Sequence, residues 1–283
     1  MIAGHEVALG VLNFLDIPAP ELVGVAADAG FDSVSVRVTG SRGSVAADLR
    51  HDPATLARTQ RTLEETGLTV LDAEVLRLAG ATPAGEAARA IEVAAALGAR
   101  HLLAVNTDLS ADECVEELAR VCELAEGSGL RVCLEFMRFS ATPDLESAFG
   151  IVEAVGHPCA AVLVDALHLH RSGGSAQDVA VLAARRPELF PYLQVCGVPP
   201  APSGLFDPDL LLREAVSSRL LPGDGVNDLR ALIDALGPAA PLSVEAPVAG
   251  DPHRSPARRA RAGVRALSRA LDAMRFDQTV DCP

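Results

Sequence analysis

Short apolar runs alternate with longer helix-spaced segments from one end of this chain to the other, and that alternation constrains the fold most. The runs are Val7–Leu12, Ser33–Val38, Leu68–Leu76, His101–Val105, Leu130–Phe136, Ala160–Val164, Tyr192–Cys196 and Leu242–Val244. Helical spacing falls over Pro20–Ala29, Pro53–Thr66, Ala84–Leu97, Ala111–Glu126, Leu145–Val155, Ala176–Ala184, Pro208–Ser217 with Asn227–Leu236, and Pro256–Met274. Most runs are apolar at nearly every residue, as strands are when helices cover both faces of a parallel sheet. Eight such units in about 250 residues is the arithmetic of a (β/α)8 TIM barrel. A doubly wound open sheet, the alternative, has fewer strands and a Gly-rich first turn, and neither is found. The expectation is one α/β barrel domain over 1–275, followed by an aperiodic tail at 276–283.

Boundary signals agree with this reading. Ser110-x-x-Glu113 has the capping-box pattern. Asp52-Pro53 places a cap before a proline at the first helical position. Gly30, Gly67, Gly98, Gly129 and Gly156 each follow a helix and precede a strand, where a left-handed residue is needed. Arg254, Arg258, Arg259, Arg261, Arg265 and Arg269 read as one solvated face of the last helix. None of the 6 cysteines forms a Cys-x-x-Cys pair, so free, reduced thiols are expected.

Composition excludes several chemistries. With 24 basic against 38 acidic residues the formal charge is −14, which opposes a nucleic-acid partner. All of the basic residues are arginines. Without lysine, no side chain can form a Schiff base, and no P-loop is present. His5 and Glu6 stand ahead of the first apolar run, unlike a signal peptide, and no apolar stretch reaches membrane-spanning length. A cytoplasmic protein with a small-molecule substrate, no nucleic acid and no membrane partner is therefore expected.

In a barrel of this kind, functional side chains sit at the C-terminal ends of strands. Those ends bring Arg37, Glu74, Arg77, Asn106, Glu135, Asp165, Gln194 and Glu245, with His168 one turn beyond Asp165. The anomaly is the acids in otherwise apolar surroundings: Leu-Glu-Phe at 134–136, Val-Asp-Ala at 164–166 and Val-Glu-Ala at 244–246. Buried carboxylates are costly unless paired or bound to metal. Three converging at one mouth would repel one another, and a divalent cation relieves that. Gln194 adds a neutral oxygen donor. An all-oxygen set of this kind suits Mn²⁺, Mg²⁺ or Co²⁺, with Zn²⁺ as a further candidate.

The segments Leu134-Glu135-Phe136-Met137, Val164-Asp165-Ala166-Leu167-His168 with Arg171-Ser172-Gly173-Gly174, Gln194-Val195-Cys196, Leu221-Pro222-Gly223-Asp224-Gly225 and Ser243-Val244-Glu245 resemble the xylose-isomerase-like TIM-barrel superfamily. That group includes sugar-phosphate isomerases and epimerases, inosose and dehydroshikimate dehydratases, and family-2 apurinic endonucleases. The resemblance implies one divalent metal held by Glu135, Asp165, Gln194 and Glu245, in a site whose third ligand is often histidine. Glutamine there resembles the dehydroshikimate-dehydratase branch. Dimers or tetramers are expected by the same analogy. Two departures stand out: Gly197 where an aspartate is common, and Arg138 where proline is common.

The chemistry implied is isomerisation or epimerisation of a small hydroxy-ketone through a metal-stabilised enediolate. Dehydration of a dehydroshikimate- or inosose-type substrate is the alternative, and a non-catalytic binding barrel a third reading. His168, Glu135 and Glu245 are the catalytic candidates, with His168 expected to titrate near neutrality. Arg219 and Arg171 are the expected handles for a carboxylate or phosphate, and Arg37, Glu74 and Arg77 would line the opposite wall.

Overall fold

The computed structural model describes residues 1–40, 48–80, 84–201, 207–250 and 254–280, with backbone alone for 84 and 274–280. Eight strands form a closed barrel in chain order. They are β1 Val7–Leu9, β2 Ser33–Arg37, β3 Thr69–Leu78, β4 His101–Asn106, β5 Arg131–Glu135, β6 Ala160–Asp165, β7 Leu193–Val195 and β8 Leu242–Val244. Every pairing is parallel, and β1 closes on β8 with Ala8 opposite Ser243. The expected (β/α)8 barrel is therefore the fold.

The helices are α1 Ala19–Ala29, α2 Pro53–Thr66, α3 Ala84–Ala96, α4 Ala111–Ala125, α5 Leu145–Val155, α6 Ala166–Arg171, α7 Ala176–Arg185, α8 Pro208–Ser217, α9 Leu229–Leu236 and α10 Pro256–Val280. Ser110 and Glu113 form the expected capping box at α4. The five helix-terminating glycines all have positive φ, between 61° and 86°. The helix α6, directly after β6, was not anticipated: its six residues are too few to show a period. The last helix runs past Met274 to Val280, so the expected aperiodic tail begins with helical backbone. Residues 281–283, Cys282 among them, lie outside the described residues, and the other five cysteines are free thiols.

One arginine of α10 departs from the solvated face. Arg259 is buried, donates to Asp16 at 2.7 and 2.9 Å, and lies 4.7 Å over the Phe14 ring, so it ties α10 to the segment after β1. Arg258, Arg261, Arg265 and Arg269 are exposed as expected. No described helix is long and apolar enough to cross a membrane.

Strand alternation divides the interior. Leu9, Val34, Val36, Leu102, Ala104, Val162, Val164 and Val244 pack outward in the large core beneath the helices. Ala8, Leu71, Leu103, Cys133, Leu163 and Tyr192 form a second, smaller cluster that fills the bore. Asp72 shares that bore, fully buried, with both carboxylate oxygens lacking a hydrogen-bond partner. Burial pushes its carboxyl up to about 6; the Ser35 and Tyr192 hydroxyls pull the other way, though neither makes a well-formed bond to it.

A carboxyl whose folded value lies above its unfolded one binds a proton more tightly when folded. Stability is then present below pH 4 and lost as the pH rises through about 6. Asp72→Asn, of equal size, should stabilise the protein at pH 8 by about 3 kcal/mol. The gain should vanish at pH 4. Urea unfolding at the two pH values measures the difference, and an equal effect at both would refute the assignment.

Candidate functional site

Strands β5 to β8 deliver four polar side chains to one end of the barrel. Glu135 ends β5, Asp165 ends β6, Gln194 lies in β7 opposite Asp165, and Glu245 directly follows β8. All four are buried. One oxygen from each of Glu135, Asp165 and Glu245 lies within 4.8 Å of the others. Gln194 donates from Nε2 to Glu245 at 3.4 Å, while its buried Oε1 has no partner. An orphaned carbonyl oxygen beside three carboxylates is what a hard cation requires, so the residues fit a divalent ion.

Local folding fixes two of these groups. Asp165 is the N-cap of α6, accepting the His168 backbone N–H at 2.9 Å. That cap sets His168 one turn on, with Nε2 3.9 Å from Glu135 and its ring edge-on to Phe139 at 5.7 Å. The site opens into a cavity of about 310 Å³ lined on one side by Glu135, His168, Arg219 and Glu245, and on the other by Arg37, Glu74 and Arg77. Met137, Phe139, Leu212 and Val216 form an apolar rim.

Arg219 is the electrostatic centre of the cluster. Its Nη1 donates to Asp165 Oδ2 at 2.5 Å and to the Glu245 carbonyl at 3.2 Å. Its Nη2 stands 3.3 Å from Glu245 Oε2, and Nε donates to the Ala215 carbonyl at 2.8 Å. Burial works to raise Asp165, but Arg219 and His168 outweigh it and hold its carboxyl below the usual range. Glu245 is pushed up to about 7 by burial, against the pull of Arg219. Glu135 is raised well above the ordinary value, first by burial and then by Asp165 and Glu245. Fully ionised, the three carboxylates against one guanidinium would leave two negative charges, the complement of a divalent cation; without one, burial and mutual repulsion favour the protonated forms of Glu135 and Glu245.

Several expectations change. His168 does not titrate near neutrality: burial pushes it down to about 4, so the ring is uncharged at pH 7. Arg171 lies apart from this cavity. It is engaged with Glu214 at 2.6 and 2.7 Å and with the Pro199 carbonyl, and it does not line the cavity. Arg219 does line the cavity, yet its donors already have protein acceptors. Arg37, Glu74 and Arg77 line the opposite wall. Asn106 also reaches the cavity, but its amide closes the turn to Leu109 and meets Thr142.

The Gly197 departure has a steric reason. A Cβ there would lie 1.8 Å from the Asp224 carbonyl oxygen and 2.5 Å from that of Leu221. The 221–225 loop passes too close for any side chain at 197. Sequence reasoning missed Asp72, although an acid between Leu71 and Ala73 is the same anomaly that marked the other carboxylates. It also missed Leu212 and Val216, whose helix α8 shows nothing in its spacing that aims it at the mouth.

The fold and site together define a parallel eight-stranded barrel with a buried acidic cluster at its C-terminal mouth. The chain belongs to the xylose isomerase-like TIM barrel family, whose model matches residues 23–270. No curated protein matches it in sequence. Among solved structures, the zinc-bound IolI protein superposes with a TM-score of 0.79 at 16% identity, covering 95% of this chain and 98% of that one. The probable 3-DHS dehydratase AsbF from Bacillus anthracis gives 0.67 at 15% identity, covering 95% and 98%. The 3-keto-D-glucoside 4-epimerase YcjR from E. coli gives 0.66 at 15% identity, covering 93% and 98%. At these identities the likeness is one of fold.

Proposed function

We propose that this barrel is a divalent-metal-dependent isomerase or epimerase of a small, sugar-like hydroxy-ketone, working through an enediolate. The observation that carries the reading is the buried Glu135–Asp165–Glu245 cluster opening, beside His168, into a small cavity. Glu135, Asp165, Gln194 and Glu245 would hold the ion, with Mn²⁺ or Mg²⁺ favoured by the all-oxygen donors and Zn²⁺ or Co²⁺ also accommodated. When bound, such an ion polarises a carbonyl and stabilises the negative charge left when the neighbouring carbon loses its proton.

The chain's own residues do the rest. His168 is uncharged at pH 7, so Nε2 can accept a proton and return it. Phe139 braces the ring, and the Asp165 cap fixes its approach. Arg219 holds Asp165 ionised and orients Glu245. The apolar rim of Met137, Phe139, Leu212 and Val216 limits water around the reacting carbon.

The test is carbon-bound hydrogen exchange. The protein is loaded in turn with Mn²⁺, Mg²⁺, Co²⁺ or Zn²⁺ and incubated in D2O with a panel of ketoses. Deuterium should enter beside the carbonyl of at least one ketose, and His168→Ala should slow entry by roughly 10²–10⁴-fold. Loss of water from the exchanged substrate would assign a dehydratase instead. No deuterium with any metal and any ketose refutes proton-abstraction chemistry.

A further inference from the structure

The short helix α6 is secured at both ends. Asp165 caps its N-terminus, and near its C-terminus the Leu169 carbonyl accepts from the Ser172 hydroxyl at 2.9 Å and from the Gly174 N–H at 3.0 Å. His168 of this helix reaches the cavity. Arg171, one turn later, makes three donations outside it. Its Nε and Nη2 donate to the two carboxylate oxygens of Glu214 at 2.7 and 2.6 Å, and Nη2 also donates to the Pro199 carbonyl at 2.7 Å.

Glu214 belongs to α8, the helix whose Leu212, Ala215 and Val216 line the cavity. That helix has little apolar grip of its own. Leu211 and Ala215 are its only buried residues, while Leu210, Leu212 and Val216 are exposed. Two arginines tie it to the barrel: Arg171 through the Glu214 carboxylate, and Arg219, whose Nε donates to the Ala215 carbonyl at 2.8 Å.

The Glu214 tie fixes more than distance. Only 3% of the Arg171 side chain and 11% of the Glu214 side chain are exposed, and a forked guanidinium–carboxylate pair shielded from water also fixes direction. Glu214 stands two residues from Leu212 on one side and from Val216 on the other. Successive helical residues turn by about 100°, so Glu214 points about 160° away from both. A side chain gripped on the far face sets the roll of the helix, and the roll decides which side chains turn toward the cavity.

We propose that Arg171 and Glu214 are positioning residues: their ion pair moors α8 to α6 and sets its roll, so that Leu212 and Val216 stand over the mouth beside His168. Its effect on turnover rests on the proposed function; the setting of α8 does not. Neither residue touches the substrate. With the pair broken, α6 keeps its own caps and Arg171 keeps the Pro199 carbonyl, but α8 is free to turn. Leu212 and Val216 then leave the mouth, and water reaches the reacting carbon.

Amide hydrogen exchange of the full chain, without substrate, tests the setting of α8. At labelling times over which β4 and β5 stay protected, residues 208–217 should exchange at least about tenfold faster in Glu214→Ala than in the parent. Glu214→Gln, whose amide oxygen can still accept one guanidinium N–H, should fall between the two. If Glu214→Ala does not fold, Glu214→Gln decides. An unchanged rate over 208–217, or protection lost there only together with β4 and β5, overturns the proposal. Turnover is read on any ketose into which the parent admits deuterium. Glu214→Ala should lower kcat there by about tenfold, as misplacement from outside the site does. Because the pair acts through Leu212 and Val216, that loss should vanish in a protein already carrying Leu212→Ala and Val216→Ala. An unchanged kcat in Glu214→Ala, or a loss that adds in full to that of the two truncations, also overturns the role. No deuterium entry in the parent would remove the proposed reaction, and amide exchange alone would then decide the pair.

Discussion

Arg219→Met is expected to destabilise the metal-free protein by about 3–5 kcal/mol, because it strands buried charges rather than merely removing a contact. Asp165 is fully buried and owes its ionised state to this guanidinium; Glu245 is buried beside it. A methionine fills similar space but offers no donor, so Asp165 must take up a proton or draw in water. For a barrel of this length the loss corresponds to a fall in Tm of roughly 10 °C. A divalent cation that occupies the cluster should restore part of it, by about 2.7 kcal/mol at a hundredfold excess over Kd. Thermal unfolding with and without Mn²⁺ measures both terms. A variant as stable as the parent without metal would show that Arg219 is not the counter-charge of the acids. A variant that Mn²⁺ leaves unaffected would show that the acids do not form a cation site.

Glu245→Gln should weaken divalent-metal binding by at least about 100-fold, since even outlying supports of a metal site are worth roughly 10- to 100-fold. The amide keeps the shape of the side chain and an oxygen facing Arg219, so the change is confined to charge. Two of the three carboxylates remain, and Arg219 cancels one of them. The residual single negative charge is a poor match for a dication. Direct titration with Mn²⁺ and elemental analysis of the purified variant provide the readout. Deuterium entry into ketoses should stop in the same variant. Unchanged metal content would remove Glu245 from the ligand set.

The parts of this molecule that were legible in its sequence are those governed by local periodicity and by chemical anomaly. Leu242–Val244, Pro53–Thr66, Leu145–Val155 and Pro208–Ser217 have the boundaries expected from their spacing. Glu135, Asp165 and Glu245 stood out as acids in apolar runs, and the fold brings them together. What was not legible depends on which cation meets which anion. Arg171 and Arg219 were candidate handles on position alone, and nothing local reveals that Glu214, 43 residues on, engages Arg171 or that Asp165, 54 residues before, engages Arg219. The value of His168 escaped for the same reason: burial is a property of the closed barrel, not of the segment Leu167–Leu169.

The barrel wall is uneven, and this bears on how it stays shut. β3 spans ten residues, whereas β7, β8 and β1 have three each, so few backbone bonds hold that arc of the ring. Arg219 bridges part of that arc, past β7, from Asp165 at the end of β6 to Glu245 after β8. Charge thus acts as the clasp of the hoop where the ladder is thin. Loosening the clasp by loading or emptying the acidic cluster would be felt first as a change in how the hoop breathes, well away from the sturdy β3–β4 side.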